Sequence, residues 1–333
     1  MRGAANHALL RQPSAVKLEG RAVHIVTASD ENYVVGVMVL IASVARHNPQ
    51  ARFTVLTTEW SPASHAKLQQ LRQRLGLQIE CIEISAQSLR GLPISRPHLT
   101  RTTYARLFIP AMLPAAERVI YMDCDMLVTG ALDQAWNCDL TGKVLAAVRC
   151  PTPTRSFAAA IDLSVEHYFN AGFLVLNLDL WRSEHLAEQC ITALSATDCR
   201  YLSQDESALN HIARGRVQYL DAGFNLYALD RIWQSPLSDP QAIRVIHYIT
   251  RPKPWNGNCP FGNLWLQEVA RLPEMHGFRP EPQSLRARLT RLNRIRKAYM
   301  GQWVGKIQYA RQIEAHQLVH QVLAPRYVTT GHF

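Results

Sequence analysis

The chain has 333 residues, 47% of them hydrophobic and 19% charged, which excludes global disorder and supplies enough core for one large domain with an appendage, or for two domains. Its formal charge of +10 is concentrated, because eight Lys and Arg residues and no Asp or Glu lie between Arg286 and Arg311. Seven cysteines without a C-x-x-C pair argue against a disulfide framework or a structural zinc site, and the longest nearly apolar run, Val34 to Ala45, is too short to span a bilayer.

A basic protein can meet nucleic acid, an anionic membrane or an acidic small molecule, and charge confined to one terminal segment points to a surface-binding appendage. Met1 to Gly20 has no sustained apolar segment of the signal-peptide kind. A reducing, cytoplasmic setting is therefore expected.

Apolar β-like runs alternate with helical patterns from about residue 22. Val23 to Thr27 reads as a buried strand, and Tyr33 to Arg46 as a helix stopped by Asn48-Pro49. Phe53 to Leu56 is the next strand, and Ser61-Pro62 opens a helix that reaches Leu75 with Gly76 at its end. Ile79 to Ile84 and Arg118 to Met122 complete a β-α-β-α-β succession, which predicts an α/β fold with a doubly wound, mostly parallel sheet. Further on, Val144 to Val148, Gly172 to Leu178, Val217 to Leu220 and Val245 to Ile249 read as strands. Trp181 to Leu194 reads as one helix and Asp205 to Ala213 as a shorter one.

From about Arg279 the character changes. Leu285, Leu289, Leu292, Tyr299 and Trp303 recur at helical spacing with arginines between them. Such a segment either docks its apolar stripe on the domain or lies on an anionic membrane with Tyr299 and Trp303 at the interface.

Asp123-Cys124-Asp125 follows the strand Arg118 to Met122. Two carboxylates at i and i+2 where a buried strand gives out emerge at the open edge of the sheet, where α/β proteins bind ligands. They repel unless a cation lies between them, and hard divalent ions favour oxygen ligands. No G-x-G-x-x-G follows the first strand and no G-x-x-x-x-G-K-[ST] occurs, so neither common nucleotide fingerprint is present. The first strand ends instead in Ala28-Ser29-Asp30-Glu31-Asn32-Tyr33, where Asp30 or Asn32 could read a base edge or ribose and Tyr33 could stack on a base; Asp and Asn also simply cap helices. His247 stands at another strand end, a place where histidine is more often structural than a ligand, and Lys253-Pro254 offers a cation held rigid beside it. Two carboxylates and an imidazole with phosphate oxygens would suit Mn²⁺, with Mg²⁺ as an alternative.

The chain resembles the family 8 glycosyltransferases, retaining enzymes of GT-A fold, and especially the bacterial galactosyl- and glucosyltransferases of lipopolysaccharide or lipooligosaccharide core assembly. The likeness rests on six motifs in order between Val23 and Trp255: Ala28 to Tyr33, His98 with Thr103 to Leu107, Tyr121 to Asp125, Tyr168 to Gly172, Gln204 to Glu206 with Leu209-Asn210, and His247-Tyr248 with Lys253 to Trp255. The resemblance implies that Asp30, Asn32 and Tyr33 hold the uracil and ribose of UDP-galactose or UDP-glucose, with Ser29, Cys124 and Ala171 in the same donor set. It implies that Asp123, Asp125 and His247 coordinate Mn²⁺, and that Lys253 neutralises the departing β-phosphate. Arg106 and Asn170 would contact the donor sugar or diphosphate, Asp205 the sugar hydroxyls, and His98 the sugar or acceptor. Glu206 stands where some relatives carry a glutamine proposed as nucleophile or stabilising group. Two departures are plain: Thr250 replaces the usual glycine three residues after the histidine, and no aspartate accompanies Arg149-Cys150 to touch an acceptor.

The expected architecture is an N-terminal extension over 1–21, a GT-A domain over 22–278, and a basic helical tail over 279–333. The expected activity is retaining transfer from a UDP-hexose to a lipid-linked oligosaccharide at the inner face of the plasma membrane, with no nucleic-acid partner. A metal-dependent nucleotidyltransferase or a non-enzymatic basic nucleic-acid-binding protein are the alternatives.

Overall fold

The computed structural model describes residues 22–85, 92, 101–151, 155–195, 201–229, 239–257, 259–281 and 284–328. The strands are β1 (His24–Asp30), β2 (Arg52–Thr58), β3 (Gln78–Glu83), β4 (Arg118–Met122), β5 (Met126–Val128), β6 (Leu145–Arg149), β7 (Phe169–Asn177), β8 (Val217–Leu220), β9 (Leu226–Tyr227) and β10 (Val245–His247).

Seven of them form one sheet in the order β3-β2-β1-β4-β7-β6-β8, and β5-β10-β9 form a second, small one. In the large sheet every pairing is parallel except those of β7, which runs antiparallel to both β4 and β6. Its strands alternate between two cores. Ile25, Ile120, Met122, Phe173 and Val175 face one side, while Val26, Val119, Tyr121, Leu174 and Leu176 face the other. Both faces are apolar because helices cover both, which is why these strands read as continuous apolar runs.

The Val34–His47 helix lies on the first face and buries the five consecutive apolar residues Val37 to Ile41 completely. Gly36 is required there, since a Cβ would meet the Cys124 carbonyl oxygen at 2.6 Å. The Pro62–Leu75 helix begins at Ser61, whose hydroxyl accepts from Ser64 N, and ends on Gly76 in the left-handed region. The segment read as a single helix from Trp181 to Leu194 is instead two, Leu178–Ser183 and Leu186–Ser195, broken where His185 takes φ of 54°. Apolar spacing continues across that break, so periodicity alone did not reveal it.

The two C-terminal helices behave differently. Ile307–Val328 buries Val319 and Leu323 in the main core, and its His316 and His320 rings lie 5.0 and 5.1 Å from the Phe261 ring. Leu285–Trp303 instead leaves Leu285, Leu289, Leu292, Tyr299 and Trp303 exposed, Trp303 by 87%. No helix among the described residues is long and apolar enough to cross a membrane.

Candidate active site

Asp123-Cys124-Asp125 forms the turn between β4 and β5 at the C-terminal edge of the large sheet. β7, running the other way, brings its beginning to the same edge. Met122 pairs with Phe173, so Asn170, Ala171 and Gly172 reach past the end of β4, and Asp123 N donates to Gly172 O at 2.8 Å. The small sheet supplies the third wall. β10 pairs with β5 so that His247 stands opposite Met126, and Tyr248 N donates to Asp125 O at 2.9 Å.

These pairings gather Asp123, Asp125 and His247 with one ligand atom of each within 4.8 Å of the others. His247 Nε2 lies 3.1 Å from Asp125 Oδ1 and 3.9 Å from Asp123 Oδ2. The second polar atom of each residue is committed elsewhere. Asp123 Oδ1 accepts from Tyr121 Oη at 2.8 Å and Arg106 Nη2 at 3.0 Å, Asp125 Oδ2 from Lys253 Nζ at 2.5 Å, and His247 Nδ1 pairs with Asn225 Oδ1 at 2.9 Å. Asp125 Oδ1 is buried with no hydrogen-bond partner among the described residues. A Cβ on Gly172 would fall 2.5 Å from His247 Cε1 and 2.8 Å from Asp123 Oδ2, so only glycine leaves this space open. Two carboxylate oxygens and an imidazole nitrogen, otherwise unengaged and facing one another, fit a divalent cation. Burial opposes ionisation of Asp125, but the Lys253 ammonium outweighs it and holds the carboxyl well below the usual range.

Arg106 is the other organising group. It comes from a 3-10 segment, Arg101–Phe108, and is buried. Its Nε lies 3.0 Å from Asp205 Oδ2, its Nη1 donates to the Ala171 carbonyl, and its guanidinium sits 4.5 Å above the Tyr121 ring. One buried cation thus holds both Asp123 and Asp205 in place, and its loss would leave two carboxylates uncompensated. Asp205 opens the Asp205–Ile212 helix after Gln204, which takes φ of 51°. Burial raises the Asp205 carboxyl to about 6, Arg106 opposing and Glu206 reinforcing the rise. Glu206, half-buried beside it, accepts from Asn170 Nδ2 at 2.7 Å, Ala171 N at 3.2 Å and Ser203 Oγ at 3.2 Å. Burial raises its carboxyl too.

Two adjoining hollows share Arg106, Asp123 and Asp125. One, of about 120 Å³, is lined by Ser29, Asp30, Tyr33, Thr102 and Cys124 among others. In it Asp30 Oδ1 accepts from Asn32 N at 2.9 Å and so caps the Glu31–Tyr33 turn. Ser29 Oγ accepts from Trp60 Nε1 at 3.1 Å, and the Tyr33 ring meets Trp255 edge-on at 5.6 Å. The Cys124 side chain belongs to the core beneath. The second hollow, of about 330 Å³, is lined by Asn170, Ala171, Asp205, Glu206, His247 and Lys253, together with Cys150, Phe157, Tyr227 and Thr250. His98 lies outside the described residues.

Among the expected residues, the structure therefore brings Asp123, Asp125, His247, Lys253, Arg106, Asn170, Ala171, Asp205 and Glu206 to one cleft. Sequence reasoning missed Tyr121 and Asn225 as their supports. Tyr121 sits two residues before the first aspartate, on the same side of the strand, and that spacing was the available signal; Asn225 carried none.

A mostly parallel sheet with helices on both faces, an Asp-x-Asp turn at the end of a central strand and a cleft at the same edge define a glycosyltransferase of GT-A fold. Residues 24–259 match the family described as Glycosyl transferase family 8, and the chain belongs to that family. A lipopolysaccharide 1,3-galactosyltransferase of Salmonella typhimurium is 28% identical over 262 residues, covering 74% of this chain and 77% of its own. A lipopolysaccharide 1,2-glucosyltransferase of Escherichia coli is 27% identical over 244 residues, covering 68% of this chain and 71% of its own. Among solved structures, the galactosyltransferase LgtC in complex with donor and acceptor sugar analogs matches with a TM-score of 0.63 and 27% identity, over 75% of this chain and 96% of its own.

Proposed function

We propose that the protein moves galactose or glucose from a UDP-sugar, with Mn²⁺ and with retention at the anomeric carbon, onto the core oligosaccharide of a lipopolysaccharide or a similar lipid-linked glycan. The observation that carries this reading is the convergence of Asp123 Oδ2, Asp125 Oδ1 and His247 Nε2, each with its other polar atom already held. These three residues would hold the ion, and the imidazole among them favours manganese over magnesium. When bound, such an ion neutralises a diphosphate and makes UDP a better leaving group.

The remaining roles belong to the chain itself. Asp30 and Tyr33 line the hollow next to the turn, and with Asn32 between them in sequence they would take the nucleoside. Arg106 keeps Asp205 ionised beside the sugar, where its carboxylate accepts hydroxyl hydrogen bonds. As the anomeric C–O bond breaks, its electron pair leaves with UDP, and Lys253 meets the charge that develops on the β-phosphate. The acceptor oxygen bonds the anomeric carbon and gives its proton to the departing phosphate oxygen of UDP. Glu206 is held on the cleft side by Asn170 and Ala171, where a carboxylate can stabilise the developing positive charge or attack it. Either would give retention, directly on one face or by double displacement.

The Leu285–Trp303 helix supports peripheral attachment to an anionic inner leaflet. Its exposed Leu285, Leu289, Leu292, Tyr299 and Trp303 accompany exposed Arg286, Arg288, Arg294, Arg296 and Lys297.

The test is UDP release by the purified protein over a panel of nucleotide sugars with Mn²⁺ and with EDTA, beside Asp125→Ala. Turnover of one UDP-hexose, lost on chelation and in the variant, is the expected result. Absence of both turnover and Mn²⁺-dependent UDP binding would end this reading, and pyrophosphate release from a nucleoside triphosphate would replace it with nucleotidyl transfer.

A further inference from the structure

Four buried or half-buried side chains form a continuous chain of hydrogen bonds behind the cleft. Glu206 Oε2 accepts from Asn170 Nδ2 at 2.7 Å, Asn170 Oδ1 accepts from Asn225 Nδ2 at 2.9 Å, and Asn225 Oδ1 faces His247 Nδ1 at 2.9 Å. The direction of every bond in this chain is fixed by the backbone. Gly172 N, which can only donate, lies 3.0 Å from Asn170 Oδ1, so that atom is the amide oxygen. Asn225 must then present its NH₂ to Asn170 and its oxygen to the imidazole. His247 Nδ1 must carry a proton to donate to it.

In the uncharged ring, Nε2 is then left with its lone pair, aimed at Asp125 Oδ1 from 3.1 Å. Two acceptors so close repel unless a cation is shared between them. The polarity of the chain therefore prepares His247 to be a ligand rather than a donor.

Asn225 owes its place to a rigid turn. Asp221 Oδ1 accepts from Gly223 N at 2.7 Å, and a Cβ on Gly223 would lie 2.1 Å from the Ala242 carbonyl oxygen. β9 follows at once and pairs with β10, Tyr227 opposite His247. Asn225 itself is 2% exposed, so water cannot substitute for its amide.

We propose that Asn225 is a positioning residue that fixes the Nδ1–H tautomer of His247 for metal binding and ties the imidazole, through Asn170, to the carboxylate of Glu206. This deepens the metal reading given above and rests on it. Partners of this kind are worth tenfold to a hundredfold in metal affinity.

The test measures Mn²⁺ binding to the full chain without donor, from the electron paramagnetic resonance signal of the free ion, in parent, Asn225→Leu and Asn225→Asp. Asn225→Leu removes the acceptor and should weaken Mn²⁺ by about tenfold to a hundredfold. Asn225→Asp keeps an acceptor for His247 but loses the donor to Asn170, so it should bind Mn²⁺ as the parent does while turnover falls. A folded Asn225→Leu with parental Mn²⁺ affinity overturns the proposal. Nitrogen-15 histidine spectra of the metal-free parent, with His247→Gln to assign the ring, decide the matter independently of whether the variants fold. Protonated Nδ1 with bare Nε2 supports the proposal, and the reverse tautomer overturns it. If the parent binds no Mn²⁺, the reading of the metal site fails while the ring spectrum still judges Asn225.

Discussion

Lys253 Nζ lies 2.5 Å from Asp125 Oδ2 and donates also to the Tyr248 carbonyl at 2.7 Å, so the cation assigned to the leaving phosphate rests on a carboxylate assigned to the metal. Both partners are buried, and each neutralises the other in the absence of ligand. Lys253→Met should leave Mn²⁺ binding intact or tighter, because a competing cation is removed. Turnover should fall about a hundredfold or more, the usual scale for losing one group that stabilises developing charge. Titration calorimetry with Mn²⁺ beside steady-state UDP release separates the two effects; parallel loss of both would mean that the lysine builds the metal site instead.

Asp205 gives a pH dependence with a definite sign. Burial lifts its carboxyl from 3.8 to about 6, so below that pH it becomes a donor and, in the role proposed for it, would cease to accept from sugar hydroxyls. Turnover should rise with pH through about 6 and then level. For stability the sign is opposite. A raised acid contributes stability that is fully present below 3.8 and lost as pH rises through about 6. Asp205→Asn should therefore lose turnover yet unfold at a higher temperature than the parent at pH 7.5, the difference shrinking towards pH 4. Calorimetric scans at the two pH values check this.

His24 works in the other direction. It is buried in β1 with Nε2 2.9 Å from Thr54 Oγ1, and burial, aided by Arg52, lowers its value from 6.5 to about 4. Its contribution to stability is present above 6.5 and lost as pH falls through about 4, up to about 3 kcal/mol in all. Denaturant midpoints measured between pH 7 and 4 should decline in the parent and decline less in His24→Gln.

The two C-terminal helices predict two separate phenotypes. Leu292→Glu with Trp303→Glu should abolish sedimentation with anionic vesicles while leaving the melting temperature unchanged, because both side chains are exposed. Leu323→Ala should cost roughly 2–5 kcal/mol, as for other fully buried leucines, with vesicle binding retained. Thermal melts and vesicle sedimentation on the same samples check both.

Much of this architecture was legible in the sequence because strands buried on two faces are apolar throughout and end abruptly. Arg118 to Met122 followed by Asp123-Cys124-Asp125 is such an ending, and Ser61-Pro62 with Gly76 frames a helix by capping chemistry alone. What was not legible depends on strand direction and long-range register. That β7 is antiparallel, and so offers Asn170 to Gly172 at its start, follows from pairing with β4 and not from any local pattern. Asn225 meets His247 across 22 residues only because β9 and β10 pair in one register. The tail's stripe from Leu285 to Trp303 was visible, but nothing in the sequence of the next helix singled out Val319 and Leu323 as the residues that enter the core.

The docking of the Ile307–Val328 helix bears on how the enzyme comes into being. Phe261, held beside His316 and His320, offers its carbonyl to the Tyr248 hydroxyl at 2.9 Å, directly next to His247. Every strand of the sheet is synthesised before this prop arrives. A chain still emerging from the ribosome can thus assemble its sheet while the ground beneath His247 is unfinished. Full capacity for catalysis should come only when Ile307–Val328 has emerged and has closed over Phe261.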